Sequence, residues 1–252
     1  MLAMQSFGAD DTRPPVLIVH GLFGSGRNWG VIAKRLADSR RVVTVDMRNH
    51  GDSPRADSQS YPEMARDLAE VIGEIGGTAD VIGHSMGGKA AMVLALTRPD
   101  CVNRLIVADI APVAYGHSQM ALVEAMQALD LSGIETRSDA DAALAEAVAE
   151  KGVRSFLLQS LDVREGQWKL NLDVLGRDMD VVTGFPDVTG SFEGPTLFLA
   201  GAESDYVRPE HREIIKTLFP EARQAKIPGA GHWLHAEKPR EFEAAARAFL
   251  DG

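Results

Sequence analysis

The chain has 252 residues, 45% of them apolar and 25% charged. These values suit one buried domain, or one domain carrying an insertion, and exclude disorder as the dominant state. A formal net charge of −10 at pH 7 argues against nucleic acid or an anionic membrane as a partner. The single cysteine, Cys101, rules out an intramolecular disulfide. The opening MLAMQSFGADDTRPP has no basic segment leading into an apolar one, and no stretch approaches the roughly 20 apolar residues of a membrane span. The expectation is therefore a cytoplasmic protein without membrane insertion.

In chain order, short apolar runs alternate with helical patterns. PVLIVHG (15–21) reads as the first strand, and residues 28–37 as a helix. RVVTVD (41–46) is the second strand. A helix then opens near Pro62 and keeps Met64, Leu68, Val71, Ile72 and Ile75 on one face until Gly76 and Gly77 end it. DVIGHS (80–85), a helix over 86–97, RLIVAD (104–109), TLFLAG (196–201), a helix over 209–218, the weaker strand RQAKIPG (223–229) and a helix over 239–250 complete the series. The strands are β-branched and almost continuously apolar, as a parallel sheet covered on both faces requires. Alternation of this kind predicts an open α/β sheet with right-handed crossovers. The rhythm breaks from residue 112 to residue 194, which reads as helical and without a convincing strand, too long for a plain connection. The chain thus divides into a core of residues 1–111 and 195–252 and a helical cap of residues 112–194, inserted before the penultimate strand.

VIGHSMGG (81–88) places Ser85 between a strand and a helix, with Gly83 and Gly87 two places either side. A sharp strand-to-helix turn needs that arrangement, because a Cβ at either glycine would collide with neighbouring backbone. The hydroxyl then stands at the carboxyl end of the sheet, facing the positive end of a helix. A serine is a weak nucleophile without a base and a group that orients the base. Three histidines follow the insertion. His232 lies in the tight loop of PGAGHWLHAEKP (228–239), where it can swing over the sheet. His235 sits near the start of the last helix as a structural partner, and His211 lies inside a helical pattern. Neither cysteine nor carboxylate completes a zinc-ligand spacing with His232 and His235, and nucleophilic catalysis by a serine and a histidine requires no metal or organic cofactor, so none is expected.

VHGLFGSGRNW, DMRNHGDSP, GHSMGGKAAM, LIVADIAPV and GAGHWLHAEKP together resemble the α/β-hydrolase superfamily. More narrowly, they resemble its small bacterial and mitochondrial esterase branch, which includes the YbfF-like and ABHD11-like proteins. DMRNHG is the more specific block, since Asn49 stands where the wider superfamily usually has glycine. The resemblance implies a mostly parallel central sheet flanked by helices, Ser85 as nucleophile and His232 as base. For the acid it leaves two aspartates. The usual offset after TLFLAG lands on Ser204, with Asp205 one place late, while Asp109 ends the preceding strand; Asp109 is preferred and Asp205 is the alternative. The oxyanion donors implied are the backbone N–H groups of Leu22 and Met86, with Phe23 next to the substrate and His20 bracing the loop. Arg48, Asn49 and His50 read as a loop brace. Phe156, Leu157, Leu158, Trp168 and Leu172 read mainly as the insertion's own core.

The function implied is a serine esterase acting on a small-molecule acyl ester or thioester through an acyl-enzyme. A carbon–carbon bond hydrolase or a cofactor-free perhydrolase would keep the same residues. A dehalogenase or epoxide hydrolase would need an aspartate at position 85. A non-catalytic binding protein of this fold would show a decayed set of site residues, and here each role has a candidate.

Overall fold

A computed structural model describes residues 1–10 and 12–252. Among the described residues nine strands form, six of them around the runs named above: β1 Met4–Phe7, β2 Val16–Val19, β3 Val42–Val45, β4 Ala79–His84, β5 Val102–Ala108, β6 Leu161–Asp162, β7 Gln167–Trp168, β8 Thr196–Gly201 and β9 Ala222–Ile227. Seven of them make one sheet in the order β1-β3-β2-β4-β5-β8-β9. Every pairing in it is parallel except β1 with β3, which is antiparallel with Met4 opposite Val45. β1 carries no apolar alternation to announce it; it forms because the outer edge of β3 offers backbone partners.

The helices are α1 Gly30–Leu36, α2 Tyr61–Ile75, α3 Met86–Thr97, α4 Met120–Ala128, α5 Arg137–Leu144, α6 Lys151–Leu157, α7 Leu172–Arg177, α8 Met179–Thr183, α9 Arg212–Leu218, α10 Leu234–Glu237 and α11 Pro239–Leu250. The pleat sorts the strands' side chains into two layers. Leu17, Val19, Val81, Leu105 and Val107 pack on the side of α2, α3 and α9. Val16, Ile18, Ile82, Ile106 and Ala108 pack with Ile32 and Leu36 of α1 and Phe242, Ala246 and Leu250 of α11. Strands buried on both faces explain the unbroken apolar runs. β9, at the opposite edge from β1, is exposed along its middle four residues, which is why its sequence signal is the weakest.

Between β5 and β8 the chain forms α4 to α8 and the two-stranded hairpin β6–β7. The reading of this stretch as free of strands is corrected by that hairpin: with two residues a side, it is too short to carry a period. The segment has its own apolar cluster, in which Val123, Met126, Leu157, Leu158, Trp168, Leu172 and Leu175 surround Phe23 from the loop after β2. Phe23 O also accepts a hydrogen bond from Ser160 Oγ at 2.8 Å, so the loop and the inserted segment are tied together.

Candidate active site

Ser85 sits between β4 and α3 with φ 52° and ψ −119°, a left-handed conformation that an L-residue adopts only when its surroundings enforce it. The glycines make the turn possible. A Cβ at Gly87 would lie 2.4 Å from His20 O, and one at Gly83 would lie 2.5 Å from Gly87 O. The Ser85 amide donates to Ala108 O at 3.1 Å, which fastens the turn to the end of β5. Asp109, the next residue along, has φ 52° as well. Its amide donates to Leu199 O of β8 at 2.9 Å.

His232 Nε2 lies 3.1 Å from Ser85 Oγ, and His232 Nδ1 lies 2.7 Å from Asp109 Oδ2. The Asp109 side chain is fully buried. Besides the imidazole, it accepts from the Gly201 amide at 2.9 Å and from the Ser204 hydroxyl. Three donors thus converge on one carboxyl group, which suits a charge that must stay fixed while buried. Asp205 is exposed, and among the described residues its carboxylate has no hydrogen-bond or ion-pair partner. The imidazole therefore meets Asp109 and not the alternative. Ser204, at the offset where the superfamily places its acid, reaches the same carboxylate as a donor.

Two further contacts hold the imidazole. Tyr206 stacks on it, with ring centroids 4.0 Å apart and planes inclined by 20°. His84 Nε2 donates to His232 O at 2.9 Å. Tyr206 is itself pinned: its carbonyl accepts from Tyr115 Oη at 2.7 Å, and its hydroxyl lies 2.8 Å from His117 Nε2. Sequence reasoning missed His84, Tyr206 and Ser204 as supports, since nothing local marks a contact made across the fold.

The loop after β2 carries the remaining groups. Among the described residues, neither the Leu22 nor the Met86 amide donates to another group, and both residues line the cavity that holds Ser85. The Phe23 amide is already used, donating to His50 Nε2 at 3.2 Å. Phe23 has φ 63° and lines the same cavity. His20 spans the loop: its Nδ1 donates to Gly21 O at 2.7 Å and its Nε2 accepts from the Met47 amide at 2.9 Å. Those bonds assign the proton to Nδ1. Arg48 pairs with Asp67 through Nε at 2.6 Å. Asn49, at φ 64°, donates to Gln59 Oε1 at 2.9 Å and accepts from the Asn171 amide on its carbonyl at 2.9 Å. The polar turn over 48–50 thus braces both the loop after β2 and the inserted segment. Asparagine tolerates the left-handed conformation that glycine would otherwise supply.

Burial dominates the electrostatics. It lowers His20 to about 4 and, with a smaller contribution from a neighbouring histidine in each case, His50 and His235 to about 3. It pushes His84 well below its ordinary value. His235 stacks on Trp29 at 3.9 Å, the structural place expected of it. The cavity encloses about 320 Å³ between the sheet and the inserted segment. Ile110, Leu122, Val153, Phe156 and Val182 give it apolar walls. Of the apolar residues read as the insertion's core, Phe156 turns to the cavity, while Leu157, Leu158, Trp168 and Leu172 pack inward. Among the described residues no three His, Cys, Asp or Glu side chains gather as metal ligands would, and no helix is long and apolar enough to cross a membrane.

Residues 16–245 match the alpha/beta hydrolase family. The chain belongs to the alpha/beta hydrolase family. Within it, the mouse sn-1-specific diacylglycerol lipase ABHD11 is 43% identical over 260 residues, covering 99% of this chain and 85% of that protein. Esterase YbfF of Escherichia coli is 40% identical over 241 residues, covering 94% of this chain and 93% of that one. Among solved structures, a marine microorganism esterase superposes with a TM-score of 0.92 at 38% identity, covering 98% of both chains. This alpha/beta hydrolase is therefore of the ABHD11 and YbfF kind, and the family resemblance read from its motifs is correct.

Proposed function

We propose that this alpha/beta hydrolase is a serine carboxylesterase that cleaves small acyl esters through an acyl-enzyme. The relay from Ser85 Oγ through His232 to Asp109, with gaps of 3.1 and 2.7 Å, carries the reading. The names of its relatives, esterase and lipase, support the reaction class. His232 Nε2 takes the Ser85 proton as Oγ attacks the acyl carbonyl, and Asp109 holds the imidazolium that forms. The carbonyl oxygen, now negative, accepts from the Leu22 and Met86 amides, each worth about 3 kcal/mol to the transition state. His232 returns the proton to the departing alcohol. Water then adds to the acyl-enzyme with His232 as base, and His232 returns that proton to Ser85 Oγ as the carboxylic acid leaves. The inserted segment acts as a cap that walls the pocket and limits acyl length.

A panel of 4-nitrophenyl esters from acetate to decanoate tests this reading. A cavity of this size, small among ligand sites, predicts the highest kcat/KM for acyl groups of about four to six carbons. Absence of turnover across the whole panel would refute the esterase assignment. A preference for the longest chains would refute the role given to the cap.

A further inference from the structure

We infer that Lys89 forms a subsite for a carboxylate carried by the ester substrate, one helical turn from the nucleophile; the inference deepens the esterase reading and rests on it. α3 begins MGGKAAMVLAL, and Lys89 is its one charged residue in a stretch otherwise made of glycine and apolar side chains, all buried. The Lys89 amide donates to Ser85 O at 3.0 Å, so the two residues share a face of the helix about 6 Å apart along its axis. Lys89 is 1% exposed and lines the cavity that holds Ser85.

An ammonium has three donors. Lys89 Nζ donates to Thr183 O at 2.8 Å and to Gly184 O. It also lies 4.8 Å from the ring centroid of Tyr115 and 5.8 Å from that of Tyr61. Among the described residues no carboxylate comes within ion-pair reach of it, and apart from the ring faces the third N–H has no oxygen or nitrogen acceptor. The hydroxyls beside it are taken: Tyr61 Oη donates to Val182 O and Tyr115 Oη donates to Tyr206 O. An open donor at this end of the cavity thus belongs to an ammonium that has no counter-ion among the described residues. Such a group is costly to bury unless something anionic completes it. Burial lowers Lys89 to about 7, and a bound carboxylate would restore its charge. A carboxylate on an ester substrate supplies what is missing: one acceptor, one negative charge and a fixed distance from the scissile carbonyl.

The two carbonyls held by Lys89 lie at the C-terminal end of α8, so the side chain also fastens the end of that helix. The test has to separate the two roles. Steady-state kcat/KM is measured on matched pairs: monoethyl glutarate against ethyl valerate, and monoethyl adipate against ethyl hexanoate, for a carboxylate on the acyl side. For the alcohol side the pair is 4-acetoxybutanoate against butyl acetate. Wild type is expected to favour the charged member of one series by about tenfold or more, and Lys89→Met to lower that charged-to-neutral ratio by about 100-fold. The series that responds identifies the half of the ester that carries the charge. Calorimetry of glutarate and valerate binding to wild type and Lys89→Met reads the subsite without turnover, with glutarate about tenfold tighter on wild type alone. A ratio unchanged in Lys89→Met while both rates fall alike assigns the residue to the cap and overturns the subsite. So does equal binding of the two acids by wild type. Loss of the esterase reading would show instead as no turnover of any ester, with the glutarate preference intact.

Discussion

Asp109→Asn is expected to lower kcat on a short 4-nitrophenyl ester by about four orders of magnitude, and Asp205→Asn to leave it within a factor of about two. The contrast follows from placement. The Asp109 carboxylate accepts from His232 Nδ1 at 2.7 Å inside a fully buried pocket, and it fixes the tautomer that leaves Nε2 free to accept the serine proton. An amide there offers an N–H where the ring also needs to donate, so the imidazole turns over or loses its partner. The Asp205 side chain faces solvent. Thermal melts of both variants serve as a control, since Asp109 also accepts from Gly201 and Ser204 and its loss lowers stability as well. Equal losses of activity, or the reverse ranking, would overturn the assignment of the acid.

The melting temperature is expected to fall by about 10 °C or more between pH 7 and pH 5. His20, His50 and His235 are held by burial at about 4, 3 and 3, while in the unfolded chain each titrates near 6.5. Their pKa values are depressed on folding, so the unfolded chain takes protons first as the pH falls. The stability tied to the neutral rings is complete above about pH 6.5 and is lost as the pH drops toward the folded values. Each ring costs about 1.4 kcal/mol per pH unit within that window, or on the order of 5 kcal/mol for the three by pH 5. The bonds explain the demand for neutrality. His20 and His50 each accept a backbone N–H on Nε2, and protonation would set a donor against a donor and loosen the loop that carries Leu22. A melting temperature flat from pH 7 to pH 5 would contradict the account of these rings.

The central strands were legible because burial on both faces writes an unbroken apolar run into the sequence. β1 and the β6–β7 hairpin were not, because their cause lies in a partner strand and not in their own residues. The elbow was legible from Gly83, Ser85 and Gly87, whose spacing answers a local steric need. The choice of acid was not legible for a topological reason. β5 and β8 are hydrogen-bonded neighbours, with Leu105 opposite Thr196, so Asp109 and Asp205 both follow strand ends at the same edge of the sheet. Only the backbone decides: Asp109 turns inward at φ 52°, and Ser204 takes the inward place in the other loop. Lys89 carries a signal of its own, a lone charge on the buried helix that begins directly after Ser85.

The central claim is that the Ser85 hydroxyl becomes covalently acylated. Incubation with a fluorophosphonate, followed by intact-mass and peptide mass spectrometry, tests it most directly. The account predicts one adduct per chain, carried by the peptide that contains Ser85, together with complete loss of esterase activity and no adduct in Ser85→Ala. An adduct on another residue, or ester turnover that persists in Ser85→Ala, would contradict it.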